Sequence, residues 1–157
     1  MPSYRTPLLR SRSYTGPALR EIAFPLGGIG TGTVSLGGRG ELRDWECRPG
    51  NDRPVTRILE RQLLPPFIAD GGLSPSGVAG LPRLTEATFT GTYPIAQIAF
   101  HDDDLPLRVT LEAFNPFSPF DARTSGMPVA VFLWRLENMS ETPVDATLVY
   151  SQLNPIG

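Results

Sequence analysis

The chain has 157 residues, with 16 Gly and 17 Pro. That is about a fifth of the sequence, where roughly 12% is usual, and so much backbone punctuation excludes a helical bundle or coiled coil. All 14 basic residues are Arg and there is no Lys, one Cys and one His, which excludes a Walker-A or Schiff-base lysine, an internal disulfide and a cysteine zinc cluster.

The net charge of -2 and pI near 5.4 argue against nucleic acid as a partner. The hydrophobic share of 40% without a repeat period argues for a folded domain. A compact chain of ~150 residues buries around two-thirds of its surface. No stretch approaches the ~20 apolar residues of a membrane span. Residues 1–14 read as a polar arm carrying Arg5, Arg10 and Arg12, without the apolar run of a signal peptide. The expected location is the cytoplasm, where the sequon Asn138-Met139-Ser140 would stay idle. No metal or cofactor is expected.

Residues 15–157 read as strands between Gly and Pro, an all-β antiparallel sandwich. Residues 29–36 form the first expected strand, with Ile29, Thr31, Thr33, Val34 and Leu36. Gly37-Gly38-Arg39-Gly40 is a tight turn, and Glu41 to Glu46 is the returning strand. Within 49–83, Val55, Ile58, Leu59 and Leu63 have near-helical spacing, but Pro54, Pro65 and Pro66 fence them, so a short strand is favoured. Asp70 to Gly80 is a loop.

Alternation then predicts strands at Glu86–Thr92, Ile95–Phe100 and Leu107–Phe114. His101-Asp102-Asp103-Asp104 is a turn between two of them, and Asn115–Gly126 is a Pro-bearing loop. Val129–Glu137 and Val144–Gln152 read as two adjacent antiparallel strands.

Several motifs invite chemistry and fall short. Gly27-Gly28-Ile29-Gly30-Thr31-Gly32 suggests a phosphate loop, but the dinucleotide spacing needs Gly at Thr33 and no helix follows. Close strand packing explains those glycines better, and leaves room for backbone approach to a ligand or a second domain. Asp44 and Glu46 sit two apart on an expected strand, hence on one face roughly 6–7 Å apart. Glycosidase carboxyl pairs span about that distance, yet ion pairing with Arg39, Arg43 or Arg48 explains them equally well. Asp102–Asp104 lack the Gly and the terminal Glu of a calcium loop. No Gly-x-Ser-x-Gly elbow occurs. Trp45, Trp134, Phe114, Phe117 and Phe120 offer faces for sugar stacking, with core packing the expected job of most.

Three stretches, taken together and in order, carry a resemblance. They are Arg20-Glu-Ile-Ala-Phe-Pro-Leu-Gly-Gly-Ile-Gly-Thr-Gly32, then Gly38-Arg-Gly-Glu-Leu-Arg-Asp-Trp-Glu46 with Arg48-Pro49-Gly50, and Leu111-Glu-Ala-Phe-Asn-Pro-Phe117 leading to Pro128-Val-Ala-Val-Phe132. They resemble the N-terminal domain of glycoside hydrolase family 116, which includes non-lysosomal glucosylceramidases and bacterial β-glucosidases and β-xylosidases. Cys47 departs from the pattern, where the family usually has an aliphatic residue and an Asn before Arg-Pro.

The resemblance implies a two-domain retaining glycosidase. Its N-terminal part is a large β-sandwich, and its C-terminal (α/α)6 toroid supplies the Glu nucleophile and the Asp acid/base. No catalytic residue of this chain matches, so the chain alone is expected to be inactive. It reads as about half of the family's sandwich. Its partner is then the toroid, and it meets a glycoside only through that domain. The expected interface is Gly27, Gly28, Gly30 and Gly32 together with Arg43, Asp44, Trp45 and Glu46. The alternatives are a stand-alone carbohydrate-binding module and, last, an adhesion domain.

Overall fold

The computed structural model describes residues 11–46 and 84–148, with the backbone alone described at Trp45 and Glu46. Among the described residues, eight strands form two antiparallel sheets. They are β1 (Arg12–Thr15), β2 (Phe24–Leu26), β3 (Thr33–Leu36), β4 (Leu42–Glu46), β5 (Glu86–Thr92), β6 (Ile95–His101), β7 (Leu107–Phe114) and β8 (Val131–Asn138). One sheet runs β1-β5-β6-β7-β8 and the other β2-β3-β4. A 3-10 helix spans Gly16–Glu21, and a single helical turn, α1, spans Ala122–Ser125.

The two sheets share one core. Alternation buries Ala87 and Phe89 on β5, then Ala96, Ile98 and Phe100 on β6, then Val109, Leu111 and Ala113 on β7. Register sets Ala87 opposite Phe100, Phe89 opposite Ile98 and Gly91 opposite Ala96. Leu26, Val34, Leu36 and Leu42 close the core from the smaller sheet, and Leu19 joins them from the 3-10 helix. Pro25 can sit in β2 because β2 is the edge of its sheet.

The strands expected at 86–92, 95–100 and 107–114 form within one residue of those bounds. Four expectations need correction. Residues 12–14, read as part of a polar arm, belong to β1 and pair with β5. Residues 29–32 are a turn, and the strand begins at Thr33. The 115–126 loop contains α1, whose N-terminus is capped by the Asp121 carboxylate accepting from the Arg123 and Thr124 amides. Residues 144–148 form no strand. After β8, Asn138 Nδ2 donates to the Thr142 carbonyl at 2.8 Å and the Met139 amide to that of Pro106 at 2.9 Å. The Met139–Pro106 bond adds one rung to the β7–β8 ladder, and the Asn138 bond closes the turn that follows β8. The readings for Cys47, for 49–83 and for 149–152 fall outside the described residues.

Candidate domain-docking site

Three loops meet at one end of the sandwich. They are the β2–β3 loop with its glycines, the β5–β6 turn at Tyr93-Pro94, and the β7–β8 connection with α1. The glycine loop and the β7–β8 connection join backbone to backbone, and the β5–β6 turn joins them through the Tyr93 ring. The Ile29 amide donates to the Ser125 carbonyl at 2.8 Å. A Cβ on Gly28 would lie 2.2 Å from the Met127 carbonyl oxygen, so only glycine permits this approach. Thr31 closes the loop on itself, its amide and hydroxyl both donating to the Gly28 carbonyl.

The loop end is apolar. A chain of rings runs outward from the core: Phe89 to Phe24 at 6.1 Å, Phe24 to Tyr93 at 6.2 Å, and Tyr93 to Phe117 at 5.9 Å between centroids. Ile29 is 59% exposed, and Phe120 is fully exposed. Phe117 and Phe120, grouped with aromatics expected to pack in the core, are at the surface instead. Trp134 does pack inward, stacked on Phe100 at 5.8 Å. Beneath the loops, the Asn115 amide is buried with neither polar atom bonded.

The opposite end carries an acidic turn, with exposed Met139 beside it. Asp102 Oδ1 accepts from the Asp104 amide at 3.0 Å, and its Oδ2 accepts from that of Thr85 at 3.2 Å. This acidic run is a self-bonded turn. Among the described residues no cluster of His, Cys, Asp or Glu could hold a metal.

The sequence-derived interface residues divide. Gly27, Gly28, Gly30 and Gly32 all lie in the loop at the apolar end, and only Gly30 faces open space among those whose surroundings are described. Arg43 turns inward. Its Nη1 donates to the Arg20 carbonyl at 3.2 Å and its Nη2 to the Ile22 carbonyl, clamping the chain that follows the 3-10 helix. Asp44 is exposed, with its carboxylate 3.8 Å from Arg43 Nε, a surface pair worth roughly 0–1 kcal/mol. Asp44 also has φ 51°, and an extra residue bulges β4 here: Thr33 faces Glu46 while Ser35 faces Arg43. The even alternation behind a shared Asp44–Glu46 face is therefore broken. Trp45 and Glu46 place their backbones on β4, and their side chains lie outside the described residues.

Sequence reasoning missed two residues. Asp121 carried a signal, since Asp before Ala-Arg-Thr is a helix N-cap pattern. Glu41 carried none. Its carboxyl folds over Gly37 and accepts from the Arg39 amide at 3.1 Å. Burial pushes its pKa above the ordinary range, against the backbone hydrogen bonds and the charges of Arg43 and Arg39. The folded chain thus holds this proton more tightly than the unfolded one. The stability it contributes is full below the ordinary glutamate range, about pH 4.3, and is lost as pH rises through the folded value. Glu41→Gln keeps an acceptor for Arg39 and removes the titration. In urea denaturation the variant is expected to gain on the native chain between about pH 4 and neutrality. A native chain that gains on the variant as pH rises would contradict this.

The family comparison fits this architecture. Residues 23–157 match the family model described as beta-glucosidase 2, glycosyl-hydrolase family 116 N-term. The match begins just before β2 and takes in both sheets except β1 and the 3-10 helix. The chain belongs to the N-terminal domain family of the family-116 glycosyl hydrolases.

Proposed function

We propose that this chain is the non-catalytic N-terminal sandwich of a retaining β-glycosidase and packs against that enzyme's (α/α)6 catalytic domain. The catalytic domain would supply both carboxyl groups, one to attack the sugar and one to protonate the leaving oxygen. The sandwich would brace it and wall one side of its entrance. Within this family, the observation that carries the reading is the gathering of exposed apolar residues on one loop end. Contiguous exposed apolar surface of this kind marks a contact. Gly28 serves the contact indirectly, by letting the glycine loop approach the β7–β8 connection.

The test is reconstitution of the full chain with the catalytic domain of its parent enzyme. The chain alone is expected to show no hydrolysis of β-glucosides, and the mixture to associate and turn over. Turnover by a pure sample of the chain would refute the non-catalytic part. The exposed rings of Tyr93, Phe117 and Phe120 favour a second reading, a stand-alone carbohydrate-binding module. That reading requires heat on titrating glucosides into the chain alone.

A further inference from the structure

We propose that Asn115 holds one internal water, at a small binding site between the two sheets beneath the loop end. Two independent observations support it. The first is the side chain itself. Asn115 is 1% exposed, and neither its Nδ2 nor its Oδ1 has a hydrogen-bond partner. It lies one residue past β7 and keeps the inward phase of Val109, Leu111 and Ala113, so its amide is aimed into the core. A buried amide left unpaired costs the fold, and native proteins pair nearly all such groups with protein or ordered water. Ser125, the other buried polar side chain among the described residues, is paired. Its hydroxyl accepts from the Ser118 amide at 3.0 Å and donates to the Ser118 carbonyl at 2.8 Å.

The second observation is the packing beside it. Register lines up Gly91, Ala96 and Ala113 across β5, β6 and β7. This is the last inward row before the loops, one step along β7 from Asn115. The Phe24 ring covers the Gly91 end of the row, so the small side chains of Ala96 and Ala113 are what flank the amide. The guest must both accept and donate. It must be uncharged, since an unpaired ion is far costlier to bury. It must also be no larger than two alanines permit. Water meets all three conditions, taking about 30 Å³ of liquid volume. A primary amide carries donors and an acceptor, and one water can close a ring with it, accepting from Nδ2 and donating to Oδ1. Held there, the water pins the end of β7 where Pro116 opens the connection to β8.

Water-selective nuclear magnetic resonance on the isotope-labelled full chain tests the site. The Asn115 side-chain amide is expected to exchange slowly and to show a cross-peak to a water of long residence. Asn115→Leu removes the amide at nearly constant size, and the leucine displaces the water. Magnetic relaxation dispersion is then expected to count one long-lived water fewer, and the folding constant to gain nothing. A side-chain amide that exchanges slowly without a water contact would overturn the inference, as would one that exchanges at the rate of open solvent. A folding constant raised about tenfold or more in Asn115→Leu would also overturn it, because relief on that scale belongs to an amide that had been dry and unpaired. Should Asn115→Leu not fold, the spectrum of the native chain decides on its own.

Discussion

Phe89→Ala is expected to cost about 3–5 kcal/mol, the largest loss among the substitutions proposed for this chain. Phe89 is 2% exposed at the centre of β5. It lies opposite Ile98 on β6 and opposite Tyr14 on β1, and its ring meets those of Tyr14 and Phe24. Removing it leaves a cavity where the larger sheet meets β2, and the neighbours cannot collapse because Gly91 beside it carries no side chain. Domains hold about 5–15 kcal/mol in all, so the variant is expected to lose a large part of its stability. Urea denaturation measures it. A loss below about 1 kcal/mol would contradict this account of the core.

Gly28→Ala is expected to detach the glycine loop from α1. The added carbon would meet the Met127 carbonyl oxygen at 2.2 Å and its carbon at 2.6 Å. Both atoms are backbone, so no rotamer relieves the clash. Overpacking of this kind costs about 1–3 kcal/mol, and the Ile29–Ser125 bond breaks with it. Gly30→Ala is the control. Gly30 has open space but φ 78°, so its cost is conformational, of order 1–2 kcal/mol. Hydrogen exchange distinguishes the two. The Ile29 amide is expected to lose protection in Gly28→Ala and to keep it in Gly30→Ala. Retained protection in both would contradict the close approach.

Local pattern makes the larger sheet legible in the amino-acid sequence alone. Period-two alternation at Leu107–Phe114 and Glu86–Thr92 reports directly which side chains face the core, because a strand alternates its faces. The turn glycines at 37–40 are legible for the same local reason. What escapes such reading is tertiary. Val144–Leu148 has the composition of a strand, yet it forms none, and the Asn138 side chain bonds within the turn at 138–142 that precedes it. The Asp44 bulge depends on how β4 meets β3, and nothing in Leu42–Glu46 announces it. Arg43 and Glu41 read as surface charges, and only packing shows one clamping carbonyls and the other half-buried over Gly37. The family is legible because its motifs are long and ordered. The contact of Gly28 is not, since the partner backbone lies about a hundred residues away in sequence.

The central claim is that the loop end docks on a catalytic domain. Hydrogen exchange of the full chain, alone and reconstituted with that domain, tests it most directly. New protection is expected at residues 27–32, around Tyr93 and across 115–130, with the turn at Asp102–Asp104 unchanged. Protection confined to the Asp102–Asp104 end, or no change at either end, would contradict it.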